Sequence, residues 1–349
     1  MGLGWVWLVA VVCAEIVSLV EVAVEPAWTP VYPYSKEAPP TAAALADFET
    51  LGRGLQTDHS SFFETEDLLS HYHTCTTVSC TEALKSFLSG LHGPVHSLPP
   101  RPTSPALFPT AVTCPRLHYL MQRDHITTNI HRDLIANAQP LLPEFQRLGV
   151  NTSDVESLGK YAEYVTLGGD RDKLTSEAVV WLESFHKHYV GNLEIGAFDQ
   201  GKMLTFELVT DIMSNLEAKS SFALYITPQI TFTALLKILT LFTEIPQHGS
   251  VLTITVSDTQ EVQFSLSSRL LVNDYCGSPC LLSAFSEKMR GKRMYGNKGI
   301  WTNACTYMGD DDLSWAKYYW MVGVMAVLWV FFKGSDWLVR KTAPRPKQQ

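Results

Sequence analysis

The chain has 349 residues, of which 46% are hydrophobic, and a formal net charge of -8 at pH 7 with an isoelectric point near 5.8. This acidic balance argues against nucleic-acid binding and is ordinary for a secreted ectodomain. The chain contains no P-loop, dinucleotide fingerprint, G-x-S-x-G or H-E-x-x-H motif, so no cofactor is expected.

Residues 1–14, MGLGWVWLVAVVCA, form an apolar run with small residues at Val12 and Ala14, where a signal peptidase reads its substrate. We therefore expect a signal peptide at 1–14. The alternatives are a buried first strand and a membrane anchor.

Four segments are predicted to be strands, at 16–24, 222–227, 250–257 and 262–268. In the last two segments apolar and polar residues alternate, and a polar turn at 258–260 joins them, which indicates a hairpin. Residues 116–199 show helical periodicity, with breaks at Pro140, Pro143 and Gly168. The proline-rich stretch 94–109 predicts a loop.

An apolar segment at 318–332, YYWMVGVMAVLWVFF, is the best candidate for a membrane span. Alone it covers about 22 Å of a hydrocarbon core of about 30 Å, so we extend it through Val339. Acidic residues precede it and basic residues follow it, which predicts type I topology. The expected order is a stalk at 306–317, a transmembrane helix at 318–339 and a cytosolic tail at 340–349. The alternative is a C-terminal helix packed on the core.

Cys13 lies in the predicted signal, which leaves six of the seven cysteines in the ectodomain. An even count suits an oxidising compartment, either along the secretory pathway or at the cell surface. Six cysteines allow fifteen pairings. Asn151-Thr152-Ser153 is an N-glycosylation sequon in a predicted loop, so we expect a glycan on Asn151.

Two H-x-H pairs, His71 with His73 and His186 with His188, lack nearby carboxylate or cysteine ligands to complete a metal site. No metal site is expected, and we interpret these histidines as solvated.

Six segments, in the same order, resemble the histidine acid phosphatase family. Residues 15–29 are similar to the strand that ends in R-H-G-x-R-x-P, and 44–55 to the helix after it. Residues 73–81, HTCTTVSCT, resemble R-S-T-D-x-x-R-T, and 113–120, TCPRLHYL, resemble the N-C-P-R segment. Residues 222–242, FALYITPQITFTALLKILTLF, resemble L-Y-S-A-H-D-T-T-L, and 275–285, YCGSPCLLSAF, resemble C-x-x-x-C-P-L-x-x-F.

The resemblance covers Glu15 to Cys305 and implies an α/β fold. The expected three-layer, histidine-phosphatase-like core is assembled from 15–115 and 200–305. A mostly α-helical cap at 116–199 lies between these two stretches, and the C-terminal transmembrane helix follows the core.

The resemblance also locates the residues that would grip and attack phosphate. Val24 takes the position of the first phosphate-binding Arg, Glu25 that of the nucleophilic His, and Trp28 that of the second Arg. His73 takes the position of a third Arg and is the one replacement that keeps some positive charge at acidic pH. A carboxylate at the centre of the site would repel phosphate.

Pro228 and Gln229 take the positions of the family's His-Asp pair, whose Asp donates a proton to the leaving alcohol. Neither a proline nor an amide can deliver that proton. No catalytic position is intact, which predicts a pseudophosphatase whose former cleft binds an unknown protein or small-molecule ligand. The alternative is an active membrane-bound acid phosphatase with displaced catalytic residues, with His59 or His125 as the nucleophile.

For the cysteines, the resemblance implies two disulfides, Cys114 with Cys305 and Cys276 with Cys280. Cys75 and Cys80 have no counterpart in the family. They would pair with each other only if the helix start between them is distorted.

Overall fold

The computed structural model describes residues 16–24, 27, 39–58, 60, 72–75, 78–95, 114–117, 119–120, 133, 136–153, 155–191, 200–218, 221–277, 279–291, 301, 303 and 305. The predicted signal peptide, stalk, transmembrane helix and tail lie outside these residues, as do Glu25, Trp28, His59, His71, His125 and most of the loop predicted at 94–109. Among the residues described, no helix has both the length and the apolar character needed to cross a bilayer.

A six-stranded mixed sheet forms the centre of the fold, in the order β2-β3-β1-β4-β5-β6. Its strands are β1 Ile16–Val24, β2 Tyr72–Thr74, β3 Ser221–Thr227, β4 Val251–Ser257, β5 Val262–Leu266 and β6 Arg269–Leu271. The pairs β2-β3 and β3-β1 are parallel, and the pairs β1-β4, β4-β5 and β5-β6 are antiparallel. Strands β1 and β3 are mostly apolar, and the polar Ser18 and Glu21 of β1 are buried as well, which fits strands that are covered on both faces.

Helices pack on both faces of this sheet. The main helices of the described residues are α1 Ala42–Asp58, α2 Val78–His92, α3 Leu142–Arg147, α4 Val155–Thr166, α5 Ser176–Gly191, α6 Gln200–Glu217, α7 Gln229–Ile238 and α8 Leu282–Gly291. On one face, Tyr72 of β2 makes an edge contact with Phe87 of α2. On the other face, Ser18 of β1 donates a hydrogen bond of 2.8 Å to the carbonyl of Ala218, just after α6.

Two glycines allow α1 and α2 to approach each other closely. A Cβ atom on Gly52 would overlap the Phe87 carbonyl oxygen, and one on Gly90 would overlap the Glu49 carbonyl oxygen. Gly54 lies two residues after Gly52 on α1, and a Cβ atom there would have no other atom within 4 Å. The approach of the two helices therefore depends on the missing side chains at Gly52 and Gly90.

Residues 136–191, here called the helical subdomain, have a hydrophobic core of their own. It contains α3, α4 and α5 and is centred on Phe145, Tyr161, Trp181 and Phe185. The described part of the segment predicted to be helical is thus largely helical. Pro143, however, does not break a helix: it lies in the first turn of α3, where its missing N–H has no intrahelical partner to lose.

The second half of the sheet differs from the prediction in one detail. The strand predicted at 262–268 ends at Leu266, because Ser267 and Ser268 adopt positive φ angles of 46° and 69° and turn the chain into β6. The predicted turn between β4 and β5 is present, and Gln260 has a φ of 63° there.

Three disulfides link the described cysteines: Cys75 with Cys80, Cys114 with Cys305, and Cys276 with Cys280. The last two are the pairs that the family resemblance implies. Cys75 precedes α2 and Cys80 lies in its first turn, with 5.7 Å between their Cα atoms, so this pair closes at the beginning of the helix.

Candidate functional site

The carboxyl ends of the parallel strands meet at one edge of the sheet, which is where open α/β sheets usually place their ligands. Val24 at the end of β1 pairs in register with Thr227 at the end of β3. Pro228 and Gln229 follow directly and begin α7. Three of the positions singled out in the sequence, Val24, Pro228 and Gln229, therefore lie together at this edge.

Val24 presents only a buried alkyl side chain at this edge. The side chain is fully buried, and its backbone N–H donates a hydrogen bond of 2.9 Å to the carbonyl of Ser250. Its neighbour Thr227 is also fully buried, and the Thr227 hydroxyl donates to the Pro228 carbonyl at 3.2 Å. Neither residue offers a cationic group that can hold a phosphoryl oxygen.

Pro228 is the N-cap residue of α7 and makes no side-chain cap. Its carbonyl accepts the backbone hydrogen bond of Phe232 at 3.0 Å, which closes the first turn of the helix. Proline has neither an N–H nor an ionisable group, so this position can supply structure but no proton.

Gln229 connects three parts of the chain through its side-chain amide. Its Nε2 donates a hydrogen bond of 2.7 Å to the carbonyl of Pro246, and its Oε1 lies 3.1 Å from Nε2 of His186 in α5. The first bond identifies Nε2 as the amide nitrogen, so Oε1 must be an acceptor and His186 must donate from Nε2. We call this arrangement the Gln229 bridge. It is buried, because Gln229 is only 7% exposed and His186 only 5%.

His186 is held in its neutral form by this environment. Burial lowers the pKa of His186 below its ordinary value, and the charge of Glu163 opposes this effect only in part. The second ring nitrogen, Nδ1, has no hydrogen-bond partner among the described residues. The prediction that His186 is solvated is therefore wrong. His188 is half-buried as well, and burial lowers its pKa.

His73 lies on the sheet face that carries α6, two residues before the carboxyl edge. In register it is level with Tyr225 and Val22, about 7 Å from the strand ends at about 3.3 Å per residue. Its ring stacks on Tyr225 with centroids 5.1 Å apart, and its Nε2 lies 3.5 Å from Oδ2 of Asp211. His73 is thus not solvated either: its side chain is 26% exposed and engaged with α6.

Tyr225 and Asp211 complete a polar cluster around His73. The Tyr225 hydroxyl donates to Oδ2 of Asp211 at 2.7 Å and accepts from Nδ2 of Asn215 at 2.9 Å. Burial and the charge of Asp211 raise the pKa of Tyr225 well above its ordinary value. The phenol therefore stays protonated, and its hydroxyl and His73 share the same oxygen of Asp211.

The described residues of this edge, Val24, Thr227, Pro228 and Gln229, fill space and form hydrogen bonds. No group of three or more His, Cys, Asp or Glu side chains in the described part of the chain is arranged to hold a metal ion. Sequence reasoning named His186 but missed its burial, although a signal existed: it lies four residues after Leu182 and eight after Ala178, on the buried face of α5.

No protein-family model and no curated protein sequence matches the chain. Solved structures do match it, and phytases are among them. The Hafnia alvei phytase in complex with myo-inositol hexakis sulphate has 11% identity and a TM-score of 0.54, and the match covers 80% of this chain and 97% of the phytase. The Klebsiella sp. ASR1 phytase has 11% identity and a TM-score of 0.53, covering 81% and 98%.

The Citrobacter braakii phytase gives a similar result, with 10% identity, a TM-score of 0.51, and coverage of 81% of this chain and all of that chain. At such low identity the match concerns the arrangement of helices and strands, and not the residues of the site. The chain has a mixed α/β fold similar to that of these phytases.

Proposed function

We propose that this chain is a single-pass type I membrane protein whose ectodomain keeps the histidine acid phosphatase fold without its catalysis. Its role would be to bind a protein or small molecule, or to support a structure, at the secretory pathway or the cell surface. The similarity to phytase structures supports the fold of the ectodomain. The residues at the carboxyl edge of the sheet support the absence of phosphatase chemistry.

The observation that carries this proposal is the Gln229 bridge. In the family, the matching position holds the Asp that protonates the leaving alcohol. Here both ends of the Gln229 amide are bonded within the protein, to Pro246 and to His186. An amide cannot act as a general acid. A buried amide whose nitrogen and oxygen are both hydrogen-bonded within the protein is also not available to contact a substrate.

The neighbouring positions support the same interpretation. Val24 replaces a phosphate-binding Arg with a fully buried alkyl group, and Pro228 replaces a His with a residue that has no donor. His73 is paired with Asp211 behind the edge. Because the loss affects both the phosphate clamp and the proton donor, a single compensating residue would not restore turnover.

The membrane part of the proposal is supported by the apolar segment 318–339 with the basic residues after it, and by the apolar run at 1–14. The three disulfides are consistent with folding in an oxidising compartment. Together these features favour a lumenal or extracellular ectodomain and a short cytosolic tail.

The test is a phosphomonoesterase assay on the full-length protein in detergent, at pH 4 to 6, with an aryl phosphate and with phytate as substrates. We expect no turnover above background. A second-order rate constant within a few decades of the ordinary enzymatic range, about 10⁴ to 10⁸ M⁻¹s⁻¹, would contradict the proposal. It would favour an active acid phosphatase with displaced residues, and His59→Ala and His125→Ala would then identify the nucleophile.

A double substitution makes the test sharper. Restoring the acid pair alone, Pro228→His with Gln229→Asp, should not create activity, because catalytic groups act as a unit and the nucleophile would still be absent. Activity in this variant would show that a nucleophile exists elsewhere at the edge.

A further inference from the structure

Large apolar side chains are exposed along the side of the sheet that ends with β6. Leu270 in β6 is 69% exposed, Val272 just after it is 70% exposed, and Leu281 is 44% exposed. Leu281 forms an antiparallel bridge with Glu261, just before β5, and Leu270 pairs with Ser265 of β5. Because the two partners are four residues apart, Leu270 and Leu281 lie on the same face of the sheet. We call the three apolar residues the β6 edge.

The backbone of the β6 edge has hydrogen-bonding groups that point away from the sheet. The turn before β6 has two residues, Ser267 and Ser268, both with positive φ, which is the geometry of a type I′ turn. The residues before and after such a turn bond to each other, so Arg269 is bonded to β5. Because bonded and non-bonded pairs alternate along an antiparallel ladder, the N–H and C=O of Leu270 point outward. The next outward-pointing groups along this strand direction are those of Val272.

The sequence around β6 is complementary to itself in an antiparallel arrangement. If two copies meet about a two-fold axis at Leu271, Leu270 of each copy lies opposite Val272 of the other, and the outward-pointing groups of these two residues bond to each other. Arg269 precedes this stretch and Asp274 follows it, and both are exposed. The same arrangement brings Arg269 of one copy towards Asp274 of the other, at both ends of the pairing. Apolar contact and charge therefore both favour a second copy over an unrelated strand.

We propose that β6 pairs antiparallel with β6 of a second copy of this chain, so that the two sheets become one. Natural proteins usually block or cover an open apolar edge, and pairing with a copy covers this one. Because β6 has only three residues, the interface is small, and interfaces below about 1,200 Å² are typically transient. We therefore expect a reversible dimer. This pairing goes beyond the proposed function and does not depend on it.

Cysteine cross-linking of full-length copies tests both the dimer and its register. Two differently tagged copies, one with Leu270→Cys and one with Val272→Cys, are co-expressed and mildly oxidised before lysis. Residues opposite each other in a bonded antiparallel pair have Cα atoms about 5.5 Å apart, which a disulfide can span. Two copies with the same substitution have these atoms about 7 to 8 Å apart, which is too far. We expect the mixed pair to cross-link several times more than either matched pair.

The wild-type chain, oxidised in the same way, is the control for the native cysteines and should not cross-link. Equal cross-linking in all three combinations, or none in any of them, would overturn the proposal. Cross-linking of the Leu270→Cys copy to a different protein in place of a second copy would also overturn it, and would assign the β6 edge to a foreign strand.

A charged variant tests whether the β6 edge drives association. Energy transfer between full-length copies with fluorescent tags after Gln349 gives an apparent dissociation constant. Leu270→Lys with Val272→Lys places like charges opposite each other in both cross-strand pairs, so we expect this constant to rise about tenfold or more. Val180→Lys is the matched control, because Val180 is 62% exposed on α5, and it should leave the constant unchanged. An unchanged constant in the double variant would overturn the proposal; if that variant fails to fold, the cross-linking decides alone.

Discussion

Burial makes Glu21, in the middle of β1, a carboxylic acid that keeps its proton near neutral pH. The residue is 1% exposed, and burial raises its pKa to about 8, against a weaker opposing effect of its hydrogen bond with Thr253. The Thr253 hydroxyl donates to Oε1 at 2.9 Å, while Oε2 has no hydrogen-bond partner among the described residues. A charged carboxylate in this place would lack the contacts it needs.

This pKa predicts that the protein is more stable in acid. The folded state holds the Glu21 proton up to about pH 8, whereas the unfolded chain loses it near pH 4.5. The stabilisation is therefore fully present below about pH 4.5 and is lost as the pH rises towards 8, by up to several kcal/mol at about 1.4 kcal/mol per pKa unit. Glu21→Gln mimics the neutral acid and should flatten this slope in denaturant titrations. Glu244→Gln, at an exposed loop position, is the control and should leave the slope intact. If Glu21→Gln also leaves the slope unchanged, groups other than Glu21 cause the pH dependence of stability.

The Gln229 bridge predicts a second pH effect, which appears only in a variant. Gln229→Glu keeps the length of the side chain but directs a carboxylate oxygen at the Pro246 carbonyl, which accepts a hydrogen bond in the wild type. We expect a loss of about 1 to 3 kcal/mol at pH 7, the cost of leaving buried polar atoms unsatisfied. At pH 4 the protonated carboxyl can donate again, so most of the stability should return. Thermal unfolding at the two pH values measures this, and equal destabilisation at both would argue against the donor role of the Gln229 amide.

At the scale of elements, the pairing of α1 with α2 gives a prediction with an internal control. Gly52→Ala places a methyl group against the Phe87 carbonyl, which belongs to rigid helix backbone, so the two helices must separate. We expect a loss of at least about 2 kcal/mol. Gly54→Ala, on the exposed side of α1, should instead stabilise the protein by up to about 1 kcal/mol through helix propensity. Urea unfolding measures the free energy of unfolding of both variants. Equal changes in the two variants would mean that α2 does not approach α1 closely at Gly52.

The sequence predicted those strands that are long enough for their own residues to show a hydrophobic pattern. The strand predicted at 16–24 coincides with β1, and β3 begins one residue before the strand predicted at 222–227. Strands β2 and β6 have only three residues each, too few to show a period, and they exist because neighbouring strands pair with them. Whether Cys75 and Cys80 pair was left open by the sequence; in the structure they pair, and α2 begins between them at Val78.

For the candidate site, the resemblance located Val24, Pro228 and Gln229, and the structure shows them at one edge of the sheet. What each side chain does there was not predictable, because the partners are distant in the chain. Gln229 bonds with a residue 43 positions before it and another 17 positions after it. His73 meets Asp211 because α6 packs against β1 and β3 on the sheet face on which His73 lies.

For the whole molecule, the sequon at Asn151 gives a test of topology. Asn151 is exposed between α3 and α4, and its Oδ1 accepts hydrogen bonds from the backbone N–H and hydroxyl of Ser153, at 3.2 and 2.7 Å. If the ectodomain is lumenal, an N-glycosidase should shift the protein on a gel. Ser153→Ala should abolish the shift, and Thr152→Ala, which preserves the sequon, should keep it.

Protease protection separates a wrong topology from an unused sequon. In sealed vesicles, protease should remove only a tag placed after Gln349, whether or not a glycan is present. Digestion of the ectodomain in the same vesicles would reverse the predicted orientation.

The disulfide between Cys114 and Cys305 also determines how the ectodomain would carry mechanical load. The bond lies at the end of the compact unit and spans 191 residues of sequence. When the chain is pulled between a point before Cys114 and a point after Cys305, the force passes through this bond and the residues between the two cysteines are spared. At about 3.5 Å per residue, the covalent loop withholds about 670 Å of contour length from stretching. Reduction would make that length available, so the oxidised protein should extend less under load than the reduced protein.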